Sequence, residues 1–350
     1  MSRFILALLL ALTLAACGSD RGEPEITEIP GPQVRTEADV NEAQADEAEA
    51  QSEAEAQSES EAQSEAEAQS ESESEAEATE DEAAETDRLG SVLDAQPDSV
   101  QARYEHRHPR ETLEFFGIEP GMTVVEALPG GGWYTRILLP YLGEEGRLIA
   151  ANYALDMWPL FPFGNDDFME RIRQWPETFP DQADEWCDED CASVSTVWLG
   201  SLPDDVAGTA DAVIFVRAMH NLARFNDEHG YLDQAMADAY AALKPGGTFG
   251  VVQHWARADM PDDWANGDAG YIKRELVVER AEAAGFELVD DSDINANPDD
   301  QPTTDDVVWR LPPSLNVPED EPELRERNQE IGESNRMTLK FSKPADGSAG

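Results

Sequence analysis

The stretch Val124-Val125-Glu126-Ala127-Leu128-Pro129-Gly130-Gly131-Gly132-Trp133-Tyr134-Thr135 decides how the rest of the chain is read. Val124 and Val125, ending on Glu126, read as a buried strand of a parallel sheet, and the three glycines lead into a helical stretch from Trp133 to Leu142. A strand that stops at a glycine turn and restarts as a helix leaves backbone N–H groups free at the carboxyl edge of a sheet, where α/β proteins take their ligands. Glycine suits that place because a Cβ would hold the main chain away from a ligand, and because such turns need positive φ. A tight turn with no ligand would use the same residues. The loop does not fit G-x-G-x-x-G: Thr135 stands where the third glycine falls if Gly130 and Gly132 are the first two, so a nicotinamide cofactor is disfavoured.

Downstream, Ala210 to Val216 reads as a second buried strand, followed by Arg217-Ala218-Met219-His220-Asn221. A helix is expected from about Asp227 to Leu243, stopped by Lys244-Pro245-Gly246-Gly247, and a strand from Thr248 to Gln253 that ends at His254. Gly270 to Ala284 reads as helix up to Gly285, Phe286 to Asp290 as strand, and Arg336 to Phe341 as an alternating strand. Strand and helix taking turns in this way predict a doubly wound α/β domain.

VVEALPGGGWYT, followed by ADAVIFVRAMHNL, ALKPGGTFGVVQHW and a terminal RMTLKFSKP, resembles the class I S-adenosylmethionine-dependent methyltransferases. More narrowly, it is similar to a bacterial branch, often exported, whose first motif is PGGGWYT. The similarity runs from about Arg107 to Pro344 and includes Arg107-His108-Pro109-Arg110-Glu111. The resemblance implies a Rossmann-like, seven-stranded, mostly parallel sheet, with Met337 to Phe341 inserted antiparallel beside the fifth strand. It implies S-adenosylmethionine as cofactor, with Glu126 helping to hold the methionine amino group and Gly130 and Gly132 lining the methionine and ribose part. Pro129 and Gly131 complete that loop. Leu128 departs from the usual pattern by replacing its first glycine.

The resemblance also places Asn152, after Leu148 to Ala151, where most such enzymes have an acid that accepts from both ribose hydroxyls. An amide offers one acceptor group, one donor group and no charge, so ribose binding there is expected to be weaker. Ser201 falls where an acid often meets the adenine amino group.

A sulfonium already activates its methyl group, so a methyltransferase mainly aligns acceptor and leaving sulfur. A base is needed only if the acceptor must lose a proton. His220 and His254, at the carboxyl ends of expected strands, are the candidate catalytic residues; capping a strand end is the plain alternative for each. No pair of histidines has metal-ligand spacing, and no metal is expected.

At the front, Arg3, the apolar run Phe4 to Leu14 and Leu14-Ala15-Ala16-Cys17 resemble the signal peptide (1–16) and lipobox of a bacterial lipoprotein, which implies acylation at Cys17. Gly18 after the cysteine favours the outer membrane, with the domain facing the periplasm. Residues 17–87 then form an acidic low-complexity tether: Glu37 to Asp87 holds 21 acids, no Lys and no Arg. Without bulky apolar surface it is expected to stay extended and disordered. A coil of the 70 residues from Gly18 to Asp87 would average roughly 45 Å between its ends. It could instead bind a basic partner, although low complexity favours a spacer.

Removing those 21 charges from the net −51 leaves −30 on the rest, and the chain has only four lysines. Such a surface repels phosphates, which argues against nucleic acid as substrate. The globular part, 88–344, is long enough for one core, and 345–350 is expected to be a flexible tail. Its insertion 153–192 carries Trp158, Phe161, Phe163, Phe168, Trp175, Phe179 and Trp186, which could form a lid over an apolar substrate or an added packing layer. Cys187 and Cys191 could close a small disulfide in that segment. A second excursion, Asn297 to Asn335, brings Val307 to Pro313 as a further wall of the pocket.

S-adenosylmethionine is made in the cytoplasm, whereas this signal exports the domain. Either the cofactor reaches the envelope, the site holds something else, or activity has been lost. The expected protein is an envelope lipoprotein that methylates a small, non-nucleic-acid acceptor. The rival is a non-catalytic ligand-binding lipoprotein on the same fold, and a third reading makes the globular end a structural anchor. The oligomeric state is not legible.

Overall fold

The computed structural model describes residues 87–187 and 189–345. The signal peptide, Cys17, the tether up to residue 86 and the tail from 346 lie outside the described residues. The strands are β1 (Thr123–Ala127), β2 (Arg147–Asn152), β3 (Ser193–Trp198), β4 (Ala210–Val216), β5 (Leu243–Ala256), β6 (Ile272–Lys273), β7 (Glu287–Ser292) and β8 (Arg336–Ser342). They form one sheet in the order β3-β2-β1-β4-β5-β8-β7, with the two-residue β6 paired to β5. The pairs among β1 to β5 are parallel, while β8 runs antiparallel between β5 and β7, as the resemblance implied.

The central strands read as unbroken apolar runs because both faces of the sheet are covered. Val125, Ile149, Val213 and Phe249 point into one core; Val124, Leu148, Ile214 and Val252 point into the other. The first core is closed by the helices Met219–Arg224, Tyr231–Ala242 and Arg274–Ala283. The second is closed by Pro109–Phe116, Thr135–Leu142 and the end of Asp166–Asp184. Phe249 shows how tightly this packs: its ring lies 5.2 Å from Phe215, 4.8 Å from Phe286 and 5.7 Å from Phe341. Truncating such a fully buried ring to alanine costs about 3–5 kcal/mol.

Several expected boundaries move for identifiable reasons. The helix expected from Asp227 to Leu243 is broken at Gly230 (φ +72) into Asn226–His229 and Tyr231–Ala242. The helix expected from Gly270 begins only at Arg274, because Ile272 and Lys273 pair with the extended end of β5 at Trp255 and Ala256. β5 itself is longer than Thr248 to Gln253. Leu243 already pairs with Ala210, and Lys244 to Gly247 loop out before Thr248 pairs with Ala212. The first helix of the sheet starts at Thr135, with Trp133 still in the turn.

The aromatic insertion is mainly a packing layer. Phe161 and Phe179 are buried in the two cores, and Trp175 lies 5.1 Å from Phe179 and 5.4 Å from Trp198; Phe163 is the exception at 52 % exposed. Cys187 and Cys191 are joined by a disulfide.

Candidate functional site

β1 sends its successor β2 to one side and meets β4 on the other, so the loops after β1 and β4 part company and leave a crevice at the carboxyl edge. A cavity of about 430 Å³ opens there. Its floor is Leu128 to Gly131 from the first loop and Val216 and Arg217 from the second. His220, His254, Glu333 and Ser334 line it together with Val308, Trp309, Leu311, Pro312 and Pro313, the wall expected of the second excursion, with Trp309 edge-on to His220 at 5.9 Å.

The turn alternates in handedness. Leu128 (φ +53), Gly130 (φ +57) and Gly132 (φ +73) are all left-handed. Leu128 therefore holds, at a strain of about 1–2 kcal/mol, the conformation that glycine adopts freely. Gly130 and Gly131 are open: a Cβ on Gly131 would meet nothing within 4 Å, and one on Gly130 would meet only the Leu128 carbonyl oxygen at 3.9 Å. Gly132 is different. A Cβ there would lie 2.0 Å from the Trp186 ring, which covers it. Trp186 is held by the Arg136 guanidinium, 4.4 Å over its ring, and by Phe179 edge-on at 6.0 Å.

Glu126 faces the turn from beneath. It is 4 % exposed and its Oε2 accepts from Thr135 Oγ1 at 2.7 Å, tying the end of β1 to the start of the next helix. Burial raises its carboxyl to about 7, although the Thr135 bonds pull the other way. Asn152 is also buried; its Oδ1 accepts from the Tyr153 N–H at 2.8 Å, and it borders neither this cavity nor the next. Ser201 lies apart, exposed, in a second cavity of about 610 Å³ with Asp156, Trp198 and Leu199. The structure thus gathers Pro129, Gly130, Gly131, His220 and His254 around one hollow, and places Glu126, Gly132, Asn152 and Ser201 outside it.

The two imidazoles stand 5.5 Å apart, centre to centre. His220 Nδ1 lies 3.4 Å from Gln253 Nε2, and Gln253 is fixed by accepting from the Met219 N–H and donating to the Gly270 carbonyl. An amide nitrogen can only donate, so Nδ1 accepts and the ring proton sits on Nε2. His254 Nδ1 is 2.6 Å from Ser334 Oγ, a partner that can donate or accept. His254 is therefore the imidazole whose Nε2 can carry the free lone pair. Burial lowers His220 to about 4; burial, then His220 and Arg217, hold His254 well below the ordinary range. Both rings are neutral near pH 7.

One feature of the site was not legible in the chain: Glu333. It pairs with Arg103, with Arg107 (Nε to Oε1, 2.9 Å), with Arg336 (3.1 Å) and, more loosely, with Arg217 (3.7 Å). Burial alone would raise this carboxyl, but Arg336, Arg107, Arg217 and Arg103 hold it down at about 2. Burial also lowers Arg107 to about 10, helped by Arg217 and opposed by Glu333. These residues lie up to 230 positions apart, so no spacing could have joined them. A lone arginine directly after a buried strand, as at Arg217, was the one available hint.

No protein-family model matches the chain, and no curated protein matches it. Solved structures align with it at low similarity. An S-adenosylmethionine-dependent methyltransferase from Aquifex aeolicus is 13 % identical over 73 % of this chain and 98 % of that one, with a TM-score of 0.39. The geranyl diphosphate C-methyltransferase of Streptomyces coelicolor, solved with S-adenosyl-L-homocysteine, is 15 % identical over 69 % and 78 %, at 0.41. The [4+2]-cyclase SpnF is 16 % identical over 69 % and 81 %, also at 0.41. Values of this size attach no activity to the chain.

Proposed function

We propose that the chain is an S-adenosylmethionine-dependent methyltransferase acting on a small, non-nucleic-acid acceptor. The observation that carries this reading is the turn Leu128 to Gly132, left-handed at every second residue, whose open stretch Gly130 and Gly131 looks into a 430 Å³ cavity at the crevice where the loops diverge. The methionine half of the cofactor fits this stretch, since a Cβ at Gly131 would meet nothing within 4 Å and the main chain there stands clear of side chains on that side. The nucleoside half has less room: Trp186 covers Gly132, and Asn152 is buried outside the cavity with Oδ1 spent on Tyr153.

When bound, the cofactor supplies a methyl group already activated on a sulfonium. The chain's part is positional. Leu128 to Gly131 hold one partner, the wall Val308 to Pro313 confines the other and excludes water, and His254 Nε2 can take a proton from an acceptor that must lose one. His220, with its proton on Nε2, orients by donating.

The lipobox supports tethering at Cys17 to the envelope, as an outer-membrane lipoprotein with 88–344 facing the periplasm. Replacing Cys17 with serine should abolish fatty-acid labelling and move the protein from the membrane to the soluble fraction.

The covered Gly132 and the occupied Asn152 favour, as a second reading, a ligand-binding lipoprotein that keeps the fold without catalysis. Calorimetric titration of the purified full chain with S-adenosylmethionine separates the two. Saturable binding supports the enzyme, and no heat at millimolar cofactor leaves the binding protein.

A further inference from the structure

The arginines around Glu333 outnumber it. Arg103, Arg107, Arg217 and Arg336 converge on a single carboxylate, an excess of three positive charges, with no second carboxylate within 4 Å of any of the four among the described residues. His220 and His254, being neutral, do not alter that balance. Three of the four, Arg103, Arg107 and Arg217, line the 430 Å³ cavity. This concentration of cation sits inside a chain whose net charge is −51, so it is no sample of the general surface.

The donors are also underused. Among the described residues Arg217 makes no side-chain hydrogen bond, reaches Glu333 only at 3.7 Å, and has its Nε buried without a partner. Trp133, which lines the same cavity beneath the Arg107 guanidinium (4.5 Å over its ring), has its Nε1–H buried without a partner. Buried donors are nearly always satisfied, yet both of these atoms are closed to the cavity as it stands and would need a side-chain rotation to meet a ligand, so the charge excess around Glu333 carries the argument. Arg217 is moreover held at φ +58, a strained conformation for a side-chain-bearing residue, which fixes it at the mouth of β4. The same cavity is lined by the apolar Val308, Trp309, Leu311 and the two prolines.

We propose that the acceptor bound in this cavity is a small amphipathic oxyanion, a carboxylate or phosphate, whose charge is read by Arg217 with Arg103 and Arg107 and whose apolar body lies against Val308 to Pro313. This rests on the methyltransferase reading for the word acceptor, but the anion site itself does not. The arrangement selects against uncharged analogues, because the guanidinium excess around Glu333 would then stay uncompensated.

Benzoate, its uncharged isostere benzamide and phenyl phosphate are titrated into the full chain, first alone and then with S-adenosylhomocysteine at saturation. The expected result is saturable binding of benzoate or phenyl phosphate in both conditions, with benzamide at least tenfold weaker; the tighter of the two anions identifies the oxyanion. Arg217→Gln should weaken the anion about 10- to 100-fold and leave benzamide unchanged. Arg103→Gln repeats the test if the first variant does not fold. Equal affinity for benzoate and benzamide, or indifference to both substitutions, overturns the proposal. So does displacement of benzoate by S-adenosylhomocysteine, which would assign the arginines to the cofactor's own carboxylate. Arginine-dependent benzoate binding without any S-adenosylhomocysteine binding upholds the anion site and sinks the methyltransferase reading alone.

Discussion

Gly131 and Gly132 are neighbours in one turn and have opposite surroundings. Gly131 faces open space; Gly132, one residue on, lies under the Trp186 ring and is left-handed at φ +73. The lesson is that three consecutive glycines need not serve one purpose: the first two keep the main chain accessible, and the third makes room for a side chain of the same protein. What Trp186 occupies is the part of the loop nearest the expected ribose, so the two halves of the proposed cofactor would meet different conditions.

The contrast can be broken most directly by Gly132→Ala. Its Cβ would overlap the indole and its φ would be strained, so unfolding by denaturant should show a loss of about 3–4 kcal/mol; a loss below 1 kcal/mol would mean that Trp186 does not lie there. Next in size are two opposed pH effects. Glu126, raised to about 7, binds its proton more tightly when folded, so its contribution to stability is present below pH 4.5 and lost as pH rises to about 7. His220, lowered to about 4, refuses a proton that the unfolded chain takes, so its penalty appears as pH falls from 6.5 to about 4. Each amounts to about 3 kcal/mol. The two slopes oppose each other over nearly the same window. Relative to the parent, Glu126→Gln should gain that amount between pH 4.5 and 7, and His220→Gln should gain it on acidification; parallel stability curves would refute both burials.

Trp186→Ala should cost about 2 kcal/mol in melting experiments while tightening S-adenosylhomocysteine binding, because the ring no longer covers Gly132. Unchanged affinity would show that the ring never stood in the cofactor's way. Smallest of all is Gly131→Ala, within about 0.5 kcal/mol of the parent, since its Cβ meets nothing. A large loss there would erase the distinction between the two glycines.

The sheet was legible because burial on both faces writes itself into β1, β2, β4 and β5 as apolar runs, and β8 announced itself by alternation. The break at Gly230 and the strand Ile272–Lys273 were not, since each answers to a neighbour: a left-handed helix cap in one case, the overhanging end of β5 in the other. Of the site, the glycine turn and both histidines could be placed because they end strands. The Glu333 cluster could not, because Arg103, Arg107, Arg217 and Arg336 come together only through the sheet order. The Trp186 contact was equally hidden, for nothing in an aromatic, proline-bearing insertion says which glycine it will cover.

The wall Val308 to Pro313 belongs wholly to the excursion between β7 and β8, the two strands at one margin of the sheet, while the turn and the arginine at the β4 mouth belong to its centre. Recognition is therefore modular. Exchanging Trp309, Leu311, Pro312 and Pro313 alone, with Asn295, Asp300, Arg310, Glu333 and Ser334 of the same excursion kept, should retune which molecule is admitted while the sheet and its hydrogen-bond ladder stay the same, making this segment the natural place to begin re-engineering the protein.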